Sequence, residues 1–482
     1  MKKNYFLLFL VFAHYANAQQ VEWLNDIFPL PRTSLAYSFE TDNNGNIFFA
    51  GYHRNGSSNT VDQGMFVGKY DSLGNCVWID TIRGKTGGGT MAKIDNNIYL
   101  SGYGIGGDSN RLIKFGNINV IKPDNRNLLL LAKYDLQGTA IWVKTQPNVK
   151  PIEMKAYNNK LYVVGWADTT VFDSHPFPYT GYFLAQYDTN GICSWVTKVS
   201  NELVANIAIS DSNNIFVTVG DGYYNNRSIY KYNSRGNFIW SRYFQTFFHM
   251  DISADNNGNC YAGGACFGAI TFGSTTLYSD ADGVCRYIAK LDSTGNYTSA
   301  VKLPLTAGAY AIFNSGNNLY AAGQYDTQGS NGAVGFVTAK FTNDTLVSFI
   351  TIPDKQPTVI TTFNQNMYVG GYSIGQFHYG FVTKISESDI ATNLSYSSND
   401  IDVSIFPNPT SGIIQIRFPV TDQKNFLINV TNAKGQLILK DSFSQSRGDQ
   451  LKEIDLSKRA KGIYFIEIVA NRKRIVKKVV LE

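Results

Sequence analysis

Charged residues are scarce in this chain of 482 residues, at 16%, and histidine and cysteine each occur only five times. Beyond residue 14 the histidines are His53, His175, His249 and His378, which are too widely spaced for the clustered ligands of a zinc site. No phosphate-binding P-loop and no GxSxG nucleophile motif is present. The sequence therefore predicts no metal site, no cofactor and no catalytic residue that can be named in advance.

The first 400 residues carry no excess of positive charge, although the net charge of the whole chain is +5. Residues 401–482 hold 14 Lys or Arg against 8 Asp or Glu, which leaves 28 against 29 in the first 400 residues. The positive charge therefore belongs to the C-terminal segment. We accordingly predict that the body of the protein does not bind nucleic acid.

Long apolar runs are missing after the N-terminus, so we predict no transmembrane segment. At the N-terminus, two lysines precede a run of about nine apolar residues (5–13), and a small-x-small sequence ends at Ala18. This arrangement predicts a signal peptide over residues 1–18, cleaved between Ala18 and Gln19. A buried first strand or a membrane anchor is the alternative.

A ten-residue pattern recurs along the body, as KYDSLGNCVW, KYDLQGTAIW, QYDTNGICSW and KYNSRGNFIW, and it begins at Lys69, Lys133, Gln186 and Lys231. Two weaker copies begin at Lys290 and Lys340. The pattern predicts a β-hairpin, because the acidic side chain accepts hydrogen bonds from turn amides and the glycine adopts positive φ. Tryptophan in the returning strand is interpreted as blade packing, at Trp78, Trp142, Trp195 and Trp240.

A second motif precedes each hairpin and consists of an aromatic residue, a few small or apolar residues and a glycine. Its seven copies are FFAG, YLSG, YVVG, FVTVG, YAGG, YAAG and YVGG. Each follows a turn that is itself preceded by an apolar run, so one unit contains four antiparallel strands. Seven such units predict an all-β fold, a seven-bladed β-propeller over residues 19–388.

The ends of the repeat indicate how the ring closes. The seventh unit has a third strand at 379–386 but no tryptophan strand after it. The mature N-terminus supplies a matching strand at 21–27, with Trp23 at the tryptophan position. We therefore predict that the N-terminal strand completes the last blade, which removes an exposed sheet edge.

These units resemble the SBBP family, the β-propeller repeat of secreted bacterial proteins. The resemblance covers about residues 21–388 and includes the motif F-[GD]-x-x-x-apolar in three variable loops, at Phe115, Phe172 and Phe272. It implies the propeller fold and leaves the ligand open.

The five cysteines leave two interpretations open in an oxidising compartment. Cys76 and Cys193 occupy the same position in two different repeats, which places them in different blades. Cys260, Cys266 and Cys285 fall within one repeat, where a disulfide between the last two is one alternative. Because the number is odd and the spacing fits no framework, we favour small buried thiols.

The composition changes after the repeats. Residues 389–403 are rich in Ser, Asn and Asp and predict a linker. Residues 404–482 contain short alternating strands, which predict a small β-sandwich. This segment closely resembles the type A C-terminal sorting domain of type IX secretion in Bacteroidetes, and the residues that carry the resemblance are Pro407, Asn408, Pro409, Gly412, Gly435, Gly462 and Tyr464.

That resemblance implies export. In the family, the signal peptide directs the chain to the periplasm, and the outer-membrane translocon of type IX secretion then recognises the C-terminal domain. The protein is thus expected to be secreted or attached to the outer cell surface.

Strand direction predicts where a ligand site lies. The loops between second and third strands and the links between blades share one face, and these loops vary widely in length. Variable loops on a rigid scaffold are where binding residues concentrate. We predict a binding or adhesion module whose ligand, a glycan or a protein, contacts this face at the central channel. The alternatives are a polysaccharide lyase or hydrolase acting in the channel, and a structural surface protein.

Overall fold

In the computed structural model the chain forms two compact units, Met1–Thr392 (unit 1) and Asn393–Glu482 (unit 2). No helix in the described part of the chain is long and apolar enough to cross a membrane. The described residues are 21–27, 32–55, 63–106, 111–122, 126–220, 226–246, 250–279, 283–303, 309–316, 318–326, 334–342, 345–364, 366–374, 379–386, 404–420, 424–432, 437–445, 448–470 and 473–482.

Within these residues, unit 1 forms seven four-stranded antiparallel sheets, the blades. The first strands are β2 (Arg32–Thr41), β6 (Thr86–Ile94), β12 (Val149–Tyr157), β16 (Leu203–Ile209), β20 (Asp251–Ala254), β26 (Ala309–Ser315) and β30 (Lys355–Phe363). The second strands are β3 (Ile47–Asn55), β7 (Asn97–Gly104), β13 (Lys160–Phe172), β17 (Ile215–Gly220), β21 (Cys260–Phe267), β27 (Asn318–Asp326) and β31 (Asn366–Ser373).

The third and fourth strands complete each blade. The third strands are β4 (Gln63–Tyr70), β10 (Leu128–Asp135), β14 (His175–Tyr187), β18 (Asn226–Tyr232), β24 (Val284–Leu291), β28 (Val334–Thr342) and β32 (Gly380–Ser386). The fourth strands are β5 (Cys76–Thr81), β11 (Ala140–Pro147), β15 (Cys193–Ser200), β19 (Phe238–Gln245), β25 (Tyr297–Lys302), β29 (Thr345–Pro353) and, for the last blade, β1 (Val21–Asp26).

The first strands form a closed ring around a central channel. Each lies next to the first strand of the following blade, from β2 through β6, β12, β16, β20 and β26 to β30, and β30 lies next to β2. The prediction of an all-β propeller is confirmed. Side chains alternate between the two faces of each blade, and both faces carry apolar residues. The facing surfaces of neighbouring blades therefore pack together and form the core between them.

The repeated turn has the predicted hydrogen bonds. Asp71 Oδ1 accepts the backbone N–H groups of Leu73, at 3.0 Å, and of Asn75, at 2.7 Å. Gly74 adopts a φ of 85°, which a side chain would make costly. The same carboxylate or amide pattern recurs in the later turns, at Asp135, Asp188, Asn233 and Asp292.

The repeated tryptophans contact the next blade. Trp78 Nε1 donates to the carbonyl oxygen of Leu136 at 3.1 Å, and its ring covers Gly138, where an added Cβ would lie 2.7 Å from the ring. The same contact joins each tryptophan to the turn glycine of the following blade, in the pairs Trp23–Gly74, Trp142–Gly191, Trp195–Gly236 and Trp240–Gly295. A glycine is required here because only its bare backbone admits the ring.

The N-terminal strand occupies the fourth position of the last blade. Strand β1 pairs antiparallel with β32. Trp23 lies 6.2 Å from the Tyr70 ring, and its Nε1 donates to the carbonyl oxygen of Ser72 in blade 1. Glu22 also forms an ion pair with Lys384 at 2.7 Å. The two ends of the propeller are thus joined by the same strand pairing that builds every other blade.

Replacing Trp23 by alanine tests this closure. Truncating a fully buried Trp costs about 3–5 kcal/mol, but Trp23 is only half-buried, so we expect about 2–3 kcal/mol. Urea unfolding followed by circular dichroism measures the loss. Val21→Ala, at the exposed start of the same strand, is the matched control and should leave the midpoint almost unchanged. Equal midpoints for both variants would contradict closure through Trp23.

Three loops between second and third strands carry extra hairpins on one face, the loop face. They are β8 (Leu112–Phe115) with β9 (Ile118–Ile121), β22 (Ile270–Phe272) with β23 (Thr275–Leu277), and the paired extensions of β13 and β14. Phe115, Phe172 and Phe272 of the SBBP-like motif are buried at the hairpin ends. The aromatic residue therefore anchors each excursion to the blade.

Unit 2 is a small β-sandwich. One sheet contains β33 (Ser404–Phe406), β34 (Ile413–Val420) and β37 (Gly448–Asp455). The other sheet contains β36 (Leu437–Gln445), β35 (Lys424–Asn432), β38 (Gly462–Ala470) and β39 (Lys473–Leu481). A compact apolar core lies between them, built around Ile416, Ile428 and Ile466.

Candidate binding site in the central channel

A β-bulge shapes nearly every first strand. In six of the seven first strands the pairing skips one or two residues; β20, Asp251–Ala254, pairs with β21 without a break. A bulge bends a strand and redirects a side chain. Several skipped residues accordingly line the channel where it opens on the loop face, namely Tyr37, Ile152, Ala205, Asn206 and Thr358.

This opening, the mouth, is a cavity of about 520 Å³. A second cavity of about 280 Å³ opens at the opposite end, where the tight turns lie. Both are lined by Lys155, Ile252 and Phe313, so the channel continues between them. The volume of the mouth falls within the range of small-molecule binding sites.

Tyrosines make one wall of the mouth. Tyr37 of β2, Tyr103 of β7 and Tyr372 of β31 all line it, and they come from blades 1, 2 and 7. The Tyr37 side chain remains 38% exposed, so its ring is open to a ligand. Burial of the hydroxyl, together with neighbouring Tyr52, Tyr103 and Tyr372, raises the pKa of Tyr37 to about 12. Tyr37 therefore stays neutral at physiological pH and presents a ring and a hydroxyl donor.

Polar groups make the facing wall. Lys150 and Glu153 of β12, Asn206 of β16 and Asp251 of β20 line the mouth from blades 3, 4 and 5. Lys150 Nζ lies 4.8 Å from the Tyr103 ring centroid and so reaches towards the tyrosine wall. The mouth is thus aromatic on one side and charged on the other.

The acidic side chains also connect the blades. Glu153 Oε2 accepts the backbone N–H of Ile207 in the next first strand at 2.7 Å, and Asp251 Oδ2 accepts that of Ile312 at 2.7 Å. Glu40 accepts a hydrogen bond from the backbone of Lys93 in the same manner. These N–H groups belong to first strands, which are edge strands of their sheets and border the channel, so a carboxylate is a suitable partner.

Lys155 lies among these three carboxylates. Its Nζ is 3.0 Å from Glu153 Oε1, and its side chain keeps 45% of its surface open to the channel. Burial works against its charge, but Glu153, Asp251 and Glu40 outweigh that effect and raise the pKa of Lys155. The channel therefore holds a fixed cation within an acidic ring.

Two of the carboxyls titrate near neutrality. Burial raises the pKa of Glu40 to about 7, against the opposing charges of Lys155 and Lys93. Burial, assisted by the charge of Glu153, raises the pKa of Asp251 to about 7. Both carboxyls are partly protonated at neutral pH, so they are able to donate as well as to accept hydrogen bonds.

The residues singled out in the sequence lie away from the channel. The tryptophans of the fourth strands pack between blades, and none of them lines the mouth. The cleavage residues Ala18 and Gln19, and Gly435 of the sorting motif, lie outside the described residues. Among the described residues no group of three or more His, Cys, Asp or Glu side chains is placed to hold a metal ion.

The sorting motif lies against the last strand of unit 2. Asn408 Oδ1 accepts the backbone N–H of Val480 at 2.9 Å, and Thr410 N–H donates to the Val480 carbonyl at 2.8 Å. Pro407 and Pro409 flank this contact, and Tyr464 donates to the carbonyl of Ala460 at 2.6 Å. Gly412 packs on Ser457, where a Cβ would lie 2.7 Å away; Gly462 begins β38.

The channel residues could not be identified from the sequence. They come from nine strands that are far apart in the sequence, and their polar or aromatic character does not distinguish them from surface residues. One signal was present: Pro151 and Pro357 lie inside first strands, beside bulges. Proline within a strand marks an unpaired edge or a bulge.

Residues 404–482 match the family described as the secretion system C-terminal sorting domain. The chain is therefore a β-propeller that ends in a type IX sorting domain. The protein is secreted or attached to the cell surface.

Other comparisons add little. No curated protein sequence matches the chain. The Dos1 propeller has a TM-score of 0.43 and 11% identity, and the match covers 76% of this chain and 95% of that one. The polysaccharide lyase Uly1 has a TM-score of 0.43 and 10% identity, with 73% and 89% covered. Similarity at this level carries no information about the ligand of this protein.

Proposed function

We propose that the propeller is an extracellular carbohydrate-binding module, and that its ligand enters the mouth of the channel on the loop face. The two-sided mouth is the observation that supports this proposal. A sugar ring has an apolar face of C–H groups and an edge of hydroxyls. The tyrosine wall can stack on the C–H face of the sugar. The polar wall of Lys150, Glu153, Asn206 and Asp251 can form hydrogen bonds with the sugar hydroxyls.

Export delivers the module to its ligand. The sorting domain is taken to be recognised by the outer-membrane translocon, and the propeller then meets polymers outside the cell. The closed ring of blades forms the mouth in the absence of a ligand, so binding does not have to order the site first.

Binding of the secreted protein to an array of oligosaccharides tests this proposal, with titration calorimetry for each positive glycan. Tyr37→Ala should weaken binding roughly 10- to 100-fold, because it removes a central aromatic contact. Tyr37→Phe keeps the ring and should bind within a few-fold of the natural protein. Tyr243→Ala, an exposed tyrosine on the outer strand β19, is the matched control. Unchanged affinity in Tyr37→Ala, or no glycan bound at all, would reject the mouth as a sugar site.

A polysaccharide-degrading enzyme is the second candidate, and one observation favours it. Asp251 lies in the mouth with a pKa of about 7, a value suited to proton transfer at neutral pH. Release of reducing ends or unsaturated products from the same glycans is the measurement. Turnover that is lost in Asp251→Asn while binding persists would establish the enzyme; binding without turnover in the natural protein would leave the binding module.

A further inference from the structure

Two of the five cysteines face each other in blade 5. Cys266 of β21 and Cys285 of β24 are direct cross-strand partners, with 1% and 0% of their surfaces exposed. Their side chains are within hydrogen-bond range of each other. In the structure both are thiols.

The backbone separation of the two cysteines permits a covalent link. Gly268 N–H donates to the carbonyl of Gly283 at 2.9 Å, and this pair lies two positions beyond the cysteines along the same ladder. Hydrogen-bonded pairs alternate along antiparallel strands, so Cys266 and Cys285 also form such a pair, with Cα atoms about 5.5 Å apart. Disulfides span Cα distances of roughly 4.4–6.8 Å.

The other cysteines have different surroundings. Cys76 is exposed on β5, and Cys193 lies on β15 in another blade. The Cys260 thiol donates to the carbonyl of Tyr261 at 3.8 Å. Among the described strand partners, Cys266 with Cys285 is the only pair of cysteines.

We propose that Cys266 and Cys285 are joined by a disulfide in the exported protein. The sorting domain shows that the chain leaves the cytoplasm, and extracytoplasmic compartments are oxidising. The two thiols lose two protons and two electrons as the S–S bond forms. A protein disulfide of the thiol–disulfide oxidoreductase class accepts both electrons and both protons and becomes a dithiol.

The bond must form before blade 5 is packed. Burial, and then the neighbouring Cys285, raise the pKa of Cys266 to about 11, so the folded protein contains very little of the reactive thiolate. The unfolded chain exposes both thiols to an oxidant. The signal peptide predicted at residues 1–18 implies that the chain crosses the inner membrane before it folds, and both thiols are accessible to an oxidant at that stage.

The link would close the base of the excursion 267–284 on the loop face. This excursion contains the β22–β23 hairpin and belongs to the blade that supplies Asp251 to the mouth. A crosslink across its base restricts the unfolded chain and limits local opening of the loop. Reduction should lower Tm by a few degrees and speed proteolysis within residues 268–283.

Alkylation of the secreted protein tests the proposal. Protein recovered from the medium is denatured without reductant, treated with N-ethylmaleimide and weighed by mass spectrometry. Of the five cysteines, three should be alkylated before reduction and all five after it, and one linked peptide should contain Cys266 and Cys285. In Cys285→Ser four cysteines should be alkylated without reduction. Cys76→Ser is the control and should retain the linked peptide.

Two results would overturn the inference. Five alkylated cysteines in the unreduced secreted protein would show that both residues remain thiols after export. A linked peptide that joins Cys266 to a different cysteine would show that strand register does not select the pair. Both measurements use the natural protein, so neither depends on whether a variant folds.

Discussion

Gly138→Ala is expected to destabilise the propeller by about 2–5 kcal/mol, as measured by urea unfolding. Gly138 has a φ of 87°, a conformation that costs other residues about 1–2 kcal/mol. The new Cβ would also lie 2.7 Å from the Trp78 ring, so the ring must move away from the turn. Its movement disturbs the hydrogen bond from Trp78 to the carbonyl of Leu136.

Gly283→Ala separates these two causes. Gly283 has a φ of 80°, but among the described residues no atom lies within 4 Å of an added Cβ. We expect a loss of about 1–2 kcal/mol from backbone strain alone. If Gly138→Ala costs no more than this control, the contact of Trp78 with the next blade contributes nothing to stability, and the proposed role of the repeated tryptophans is wrong.

The propeller is expected to melt at a lower temperature at pH 8 than at pH 5, partly because of Glu40 and Asp251. Their pKa values are raised to about 7 in the folded protein, above the ordinary carboxyl range. The folded state therefore holds protons that the unfolded chain releases between about pH 4 and pH 7. This contribution is complete at low pH and is lost as pH rises through 7.

The double variant Glu40→Gln/Asp251→Asn isolates this contribution, because amides keep the oxygen acceptor but do not titrate. Its Tm should fall less than that of the natural protein between pH 5 and pH 8, by on the order of a few degrees, since both carboxyls line openings of the channel, where solvent screens them. Glu202→Gln, on the exterior, should follow the natural profile. Parallel pH profiles for the double variant and the natural protein would contradict the raised pKa values.

Much of the fold was predictable because it repeats. The spacing of Tyr70, Gly74 and Trp78 specifies a strand, a turn with positive φ and a returning strand, and each of these is a local property of a few residues. Because every unit contains four antiparallel strands, the repeat predicts the direction of each strand. The loops between second and third strands must then lie on one face. Closure by the strand of Trp23 was predictable because the seventh unit lacks a fourth strand and the N-terminal segment contains one.

The candidate site was not predictable in the same way. Tyr37 enters the mouth because a bulge shifts the alternation of β2, and a one-residue shift turns a side chain to the other face. Glu153 lies two residues from Lys155 on β12, but Asp251 of blade 5 and Glu40 of blade 1 approach Lys155 only when the ring closes. No local pattern distinguishes these residues from other polar residues of the strands.

The amino-acid sequence by itself determined the strand unit, its repetition, the turn chemistry and the sorting domain, since each depends on residues that are close together in the chain. Only the tertiary structure decided which side chains share the channel, which carboxyls titrate near neutrality and which two cysteines face each other. Those properties depend on distance and burial, and both are set when blades far apart in the sequence pack around one axis.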